Sequence, residues 1–225
     1  MMSPVTARDG VILLHGLART NSSMAKMEAA LTDAGYVVVN VDYPSRTATI
    51  DALSQAAIGS AWPSQSLREC SQIHFVTHSL GGILVRAYFK DHPNQHPGRV
   101  VMLGPPNQGS ELADRLGDWW LYRKINGPAG HELGTTPDSR PNQLGPVEFE
   151  LGVIAGDRSI NWINSLIIPG EDDGKVSVER TKVAGMKAHL IIHATHPFLM
   201  KNKTAISQTI EFLKTGQFSP NETLP

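Results

Sequence analysis

The stretch Phe75–Phe89, FVTHSLGGILVRAYF, places one serine between a β-branched run and a helical run. A serine there either caps the helix, which stabilises by about 1 kcal/mol, or is a nucleophile held on a tight turn. Gly81 and Gly82 follow at once, and each costs roughly 1 kcal/mol relative to alanine inside a helix. Two glycines at that point indicate a close approach of backbone to backbone, as a strained strand–serine–helix elbow requires. The pattern departs from G-x-S-x-G at its first glycine, where Thr77 stands; threonine is larger and stiff at χ1.

A serine hydroxyl attacks a carbonyl only if a neighbouring base takes its proton. The chain has nine histidines, and four stand where strands end. His15 belongs to a His-Gly turn and reads as structural. His78 adjoins Ser79, and a tight turn should direct its side chain elsewhere. His193 closes LIIHAT and reads as a buried, hydrogen-bonded residue. His196 follows on the next loop, before Pro197. The base in turn needs an acid to fix its tautomer and stabilise the imidazolium. Asp157 ends the run VIAGD, whereas Glu171, Asp172 and Asp173 lie in PGEDDGKVSVE. The plain reading of that acidic cluster is a solvated turn, since Asp-Gly is a routine turn dipeptide. Its oxygen ligands lack the spacing of a calcium loop. The Leu80 N–H opens a helix, where free amides and the dipole favour negative charge.

The elements that must position these groups alternate. GVILLHG is a short apolar run suited to a strand buried on both faces. NSSMAKMEAALTDAGY follows with Met24, Met27, Leu31 and Ala34 at helical spacing and Gly35 at its expected end. YVVVNVDYP, QIHFVTHS and GRVVMLGPP read as further strands, with TIDALSQAAIGSAW and LGGILVRAYFKDH as helices between them. FELGVIAG and AHLIIHAT supply a fifth and a sixth strand, and KTAISQTIEFLKTG a final helix. Such alternation predicts an α/β fold, a mostly parallel sheet of about six strands with helices on both faces. Residues 105–146 are rich in Gly and Pro, with ELADRLGDWWLYRKI as their one clear helical stretch. No internal repeat or linker divides residues 1–225 into more than one domain.

These pieces resemble the α/β-hydrolase superfamily, in particular its small serine esterase and bacterial lipase branch. The resemblance rests on LLHGL at one strand end, THSLGG at the elbow, and DDGKV and ATHPF further on, in the order Ser, acid, His. It covers the chain from about Val11 to Leu213. It implies Ser79 as nucleophile, His196 as base in preference to His193, and Asp173 as acid, ahead of Asp157 and then Asp172. It also implies an oxyanion hole from the backbone N–H groups of Leu17 and Leu80, and a lid or cap within residues 105–146. Trp119, Trp120 and Tyr122 form the densest aromatic cluster there; they read as core packing or as a substrate wall for an apolar acyl chain. Ser110 reads as a helix cap.

The implied activity is hydrolysis of small to medium carboxylic esters through an acyl-enzyme, without metal or cofactor, on a small-molecule or lipid ester. Acyl transfer, or thioester or amide cleavage, would use the same triad. A non-catalytic binding module would be expected to lack one of the three groups, and here each has a candidate. Composition excludes other classes: 20 Lys+Arg against 21 Asp+Glu gives no field for nucleic acid or an anionic membrane. Neither G-x-x-x-x-G-K-[ST] nor G-x-G-x-x-G follows a strand. Cys70 is the only cysteine, so it forms no intrachain disulfide and reads as a small buried hydrophobe. The first residues lack a leader pattern and no apolar run approaches a membrane span, so a cytoplasmic chain is expected, or a mature secreted one.

Overall fold

The computed structural model describes residues 8–62, 64–116, 120–159 and 168–220. Six strands, β1 (Gly10–Leu14), β2 (Val37–Val41), β3 (Ile73–His78), β4 (Val100–Leu103), β5 (Leu151–Gly156) and β6 (Ala188–Ile192), form one sheet. Its order is β2-β1-β3-β4-β5-β6 and every pairing is parallel. Parallel neighbours need crossovers. Helix α1 (Ala25–Asp33) lies between β1 and β2, α2 (Ile50–Ala61) between β2 and β3, α3 (Leu80–Asp91) between β3 and β4, and α4 (Glu111–Leu116), α5 (Trp120–His131) and α6 (Arg140–Gln143) between β4 and β5, while α7 (Lys203–Thr215) follows β6.

The alternation of side chains along each strand builds two cores. Ile12, Leu14, Phe75, Val100 and Met102 face α2 and α3, where they pack with Ile50, Leu53, Ile58, Ile83 and Leu84. Their neighbours Val11, Leu13, Val76, Val101 and Leu103 face the other way, onto Met24, Met27 and Leu31 of the α1 side and Phe212 and Leu213 of α7. Central strands are therefore apolar on both faces, which is why they read as unbroken apolar runs. Local chemistry sets the helix limits. Thr49 accepts from the Ala52 N–H to cap α2, Asn202 accepts from the Ala205 N–H to cap α7, and Gly216 ends α7 in the left-handed region.

Chain direction reverses around β1. From β1 the chain crosses to β2 at one edge, then returns to β3 on the other side of β1. Crevices at such a switch point open at the carboxyl ends of the strands, where ligands bind in open α/β sheets. Leu14 pairs with Thr77 across β1 and β3, so the turn after Leu14 and the turn at Ser79 emerge side by side. The fold expected from the sequence is the fold observed.

Differences lie between β4 and β5. The described part of the helical stretch read across residues 111–125 comprises α4 and the start of α5, and residues 117–119 lie outside the described ones. Within α5, Gly127 (φ 64°, ψ −170°) breaks the helical geometry just before Pro128. The short α6 carries no apolar periodicity in its sequence, RPNQ.

Arg86, on α3, ties this region down. Its side chain is buried and its guanidinium donates to the carbonyls of Asn107 (2.8 Å), Pro141 (2.9 Å) and Gly145 (2.7 Å). Burial lowers its pKa to about 10, which still leaves it charged at neutral pH. Backbone acceptors from both ends of the 105–146 segment thus converge on one cation. Replacing it strands those carbonyls and is expected to cost about 3 kcal/mol, since hydrogen bonds to charged groups each contribute ~1.5–3 kcal/mol. Arg86→Met should therefore lower the thermal midpoint by roughly 6–12 °C in a chain of this size. An unchanged midpoint in differential scanning calorimetry would contradict this role.

Candidate active site

Ser79 leaves β3 and enters α3 at φ 53° and ψ −119°, one of two described non-glycine residues with positive φ. Such a backbone costs ~1–3 kcal/mol and persists only where the surroundings over-determine it. Here the Ser79 N–H donates to the Leu103 carbonyl (2.9 Å), and the Ser79 carbonyl accepts from the Gly82 N–H (3.0 Å). The hydroxyl makes no capping bond to α3. Of the two readings open for this serine, the cap is the one the geometry does not realise.

The glycines after it are explained by distance. A Cβ on Gly81 would lie 2.8 Å from the Leu14 carbonyl oxygen and 3.0 Å from that of His15. Both are strand and turn backbone that cannot yield, so α3 can start this close to β1 only with glycine at 81. Thr77, at the position of the missing glycine, is wholly buried, and its Oγ1 has no partner among the described residues. The β-branched side chain suits a strand; its hydroxyl is the part that the site does not use.

His196 follows β6 on a loop and opens a 3-10 helix with Pro197 at its second position. Its Nδ1 lies 2.7 Å from Asp173 Oδ2, and its backbone N–H donates to the Asp173 carbonyl (2.8 Å). With the carboxylate accepting, Nδ1 carries the proton and Nε2 is left as the basic nitrogen. Both residues are buried. Asp173 Oδ1 accepts from the Lys175 and Val176 amides, at 3.0 and 2.9 Å. A carboxylate so placed accepts at both oxygens and is fixed in orientation. Gly104, at φ 55°, closes β4 beneath the pair; a Cβ there would meet Asp173 Oδ2 at 3.0 Å and His196 Nδ1 at 3.1 Å.

The competing assignments find each other instead. Asp157 Oδ1 lies 3.0 Å from His193 Nδ1. The sequence reading of His193 as a buried residue is corrected: β6 ends at Ile192, and the His193 side chain is 74% exposed. Asp172 turns to the Gly174 N–H (2.7 Å).

His78 needs a second correction. Its side chain does not point away from the site but lines it, with its ring centroid 4.7 Å from that of His196. Its Nε2 lies 3.0 Å from the His196 carbonyl, an acceptor, so that nitrogen carries the proton. Burial holds its pKa well below the ordinary histidine value, with the neighbouring His196 and Arg19 acting the same way. His78 is thus a neutral strut that steadies the His196 backbone. His15 is also structural. It stacks on Tyr43 at 4.1 Å, donates from Nδ1 to the Gly16 carbonyl and accepts at Nε2 from the Tyr43 N–H.

Beside Ser79 a cleft of about 350 Å³ is lined by Leu17, Arg19, His78, Ser110, Lys175 and His196 among others. The Leu17 amide sits in a turn where Ala18 adopts φ 56° and donates to Ser45 Oγ (3.0 Å). Among the described residues neither the Leu17 nor the Leu80 N–H is taken by a protein acceptor. Trp119 lies outside the described residues, as do the side chains of Trp120 and Tyr122 at the start of α5. Ser110, read as a cap, donates from its hydroxyl to the Lys175 carbonyl (2.9 Å). Arg19 and Lys175 were given no role by sequence reasoning, because only the fold brings their two loops to one cleft.

The unused hydroxyl at position 77 generates a test. Thr77→Val removes a buried donor without a partner and keeps the shape, so it should leave stability unchanged or raise it by up to about 1 kcal/mol. A loss above ~1 kcal/mol in denaturant titration would mean that the hydroxyl has a partner.

The model of the α/β hydrolase family matches residues 11–202. No curated protein sequence matches the chain significantly. Among solved structures it is similar to the Bacillus licheniformis lipase BlEst2 in its mature form, at 19% identity and a TM-score of 0.72, with 94% of each chain covered. Against the propeptide form of that lipase the values are 20% and 0.75, with 99% of this chain covered and 54% of the other. YbtT, a type II thioesterase of the yersiniabactin biosynthetic pathway, aligns at 13% identity and a TM-score of 0.63 over 97% and 98% of the two chains. At these identities the likeness is one of fold. Over 192 of its 225 residues, counting 11 through 202, the sequence fits the family model, and the chain belongs to the α/β hydrolase family.

Proposed function

We propose that this chain is a serine hydrolase that cleaves carboxylic esters of small to medium acyl length through an acyl-enzyme. The observation that carries the reading is the pairing of His196 Nδ1 with the buried Asp173, at the rim of the cleft that Ser79 lines. That pairing leaves one imidazole nitrogen, Nε2, to accept a proton. No hydrogen bond joins Ser79 Oγ to His196 among the described residues; in apo active sites this contact often tightens only when substrate is bound.

In the first step Ser79 Oγ attacks the ester carbonyl while its proton passes to His196 Nε2. Asp173 stays ionised and stabilises the imidazolium through the Nδ1–H bond. Negative charge gathers on the former carbonyl oxygen, which the free amides of Leu17 and Leu80 would receive. Donors fixed in advance are worth about 10²–10³ in rate each. The tetrahedral intermediate collapses as His196 Nε2–H protonates the leaving alkoxide, giving alcohol and an acyl-Ser79. Water then repeats the sequence: His196 takes its proton, the oxygen attacks the acyl carbon, and Ser79 Oγ is restored as the acid departs. The turn at Ser79 supports this by lifting the hydroxyl off the α3 axis, where a capping serine would bend back to the helix amides.

Hydrolysis of p-nitrophenyl esters of graded chain length tests the assignment. Ser79→Ala and His196→Ala should each lower kcat by at least about 10³-fold, and Asp173→Asn by about 10²–10⁴. Asp157→Asn and His193→Ala, which remove the exposed pair, should stay within about twofold of the parent, as surface changes away from the chemistry do. Full activity in Ser79→Ala would refute the mechanism. A crippled Asp157→Asn beside an unimpaired Asp173→Asn would transfer the acid's role.

A further inference from the structure

The cleft beside Ser79 is lined by two cations, Arg19 and Lys175, and by no carboxylate among the described residues. Elsewhere five described cations are paired with carboxylates: Arg99 and Lys187 with Glu150, Arg140 with Asp51, Lys182 with Glu179, Arg180 with Glu111. Neither Arg19 nor the Lys175 ammonium makes an ion pair or side-chain hydrogen bond among the described residues. The carboxylate next to Lys175 in the chain is already committed. Asp173 gives Oδ2 to His196 and Oδ1 to two amides, one of them the Lys175 N–H itself.

Both cations are held by the machinery around the serine. Lys175 is anchored by that amide bond on one side and by its carbonyl, which accepts from Ser110 Oγ, on the other. Arg19 follows Ala18, whose positive φ and bond to Ser45 fix the turn that carries the Leu17 amide. Desolvation lowers the Lys175 pKa, and the charge of Arg19 adds to the effect against the opposing pull of Asp173. The two like charges therefore sense each other across the cleft, and a bound anion between them would relieve that repulsion. The remaining lining includes Leu17, Pro106, Leu112, Leu133 and Val176, which suits a short apolar portion of the same molecule.

We propose that Arg19 and Lys175 form an anion subsite, so that the ester taken by this cleft carries a carboxylate or phosphate on its acyl or alcohol portion. The subsite deepens the reading of Ser79 as the nucleophile and rests on it. Two arms test it. In the first, calorimetry on the Ser79→Ala protein at low salt compares adipate with adipamide and glycerol phosphate with glycerol. In the second, kcat/KM of the parent compares the p-nitrophenyl half ester of adipic acid with its terminal amide, and butyryl glycerol phosphate with butyryl glycerol.

In each arm the anionic member of at least one pair should be favoured by about tenfold or more. The preference should shrink as ionic strength rises from about 0.02 to about 0.5 M, because the Debye length falls through the dimensions of the cleft. It should collapse toward unity when Arg19→Gln and Lys175→Gln are combined. The salt series on the parent stands if that variant does not fold. The favoured pair tells an acyl carboxylate from an alcohol phosphate. No anion preference in either arm, or a preference that survives in the folded double variant, overturns the subsite. Ester turnover without anion preference refutes the subsite alone. Anion binding without any ester turnover supports the subsite and refutes the ester reading instead.

Discussion

A serine at φ 53° and ψ −119° stays there only while its neighbours leave it no relaxed alternative. At this turn the constraint comes from two sides. The Leu103 carbonyl at the end of β4 holds the Ser79 amide, and the first turn of α3 presses on the Leu14 and His15 carbonyls with no side chain between. Parallel pairing of β1, β3 and β4 thus fixes the backbone that presents Ser79 Oγ. Among the described residues the Leu17 and Leu80 amides have no protein acceptor. Strain, clearance and free donors meet beside this turn, and the proposed chemistry uses all three.

Around that turn the other groups are sorted by burial and by hydrogen-bond capacity. Asp173 and His196 are buried against Gly104, with each oxygen of the carboxylate oriented by a donor. Asp157 and His193 make a hydrogen-bonded pair of the same residue types at the edge of the sheet, open to water, where surface pairs contribute little. The two pairs differ in environment rather than in composition. His78 completes the inner pair from below: neutral, it donates to the His196 carbonyl without adding a charge beside the imidazole.

Much of this was legible in the sequence, and what was legible has a common cause. Strands such as GVILL and GVIAG-like runs announce themselves because both faces are buried, and the Ser-Leu-Gly-Gly run because only a tight elbow tolerates glycines at a helix start. The order of Ser79, Asp173 and His196 along the chain was readable through the family resemblance. What escaped depends on where side chains point after a strand ends. His78 and His193 were both misjudged for that reason: one turns into the site, the other out to solvent. The clamp on residues 105–146 by Arg86 was hidden because its partners are carbonyls, which every residue has. The cations of the cleft sit two residues beyond Leu17 and Asp173, on loops that the sheet alone brings together.

The proposed chemistry requires Ser79 to be nucleophilic in the folded chain. Reaction with a fluorophosphonate, followed by peptide mapping in a mass spectrometer, reads that property without knowledge of the physiological ester. The predicted result is a single phosphonyl adduct on Ser79 that is absent from His196→Ala on the same time scale. An adduct on Ser110 or another hydroxyl in its place, or an unmodified Ser79 in folded protein, would contradict the account.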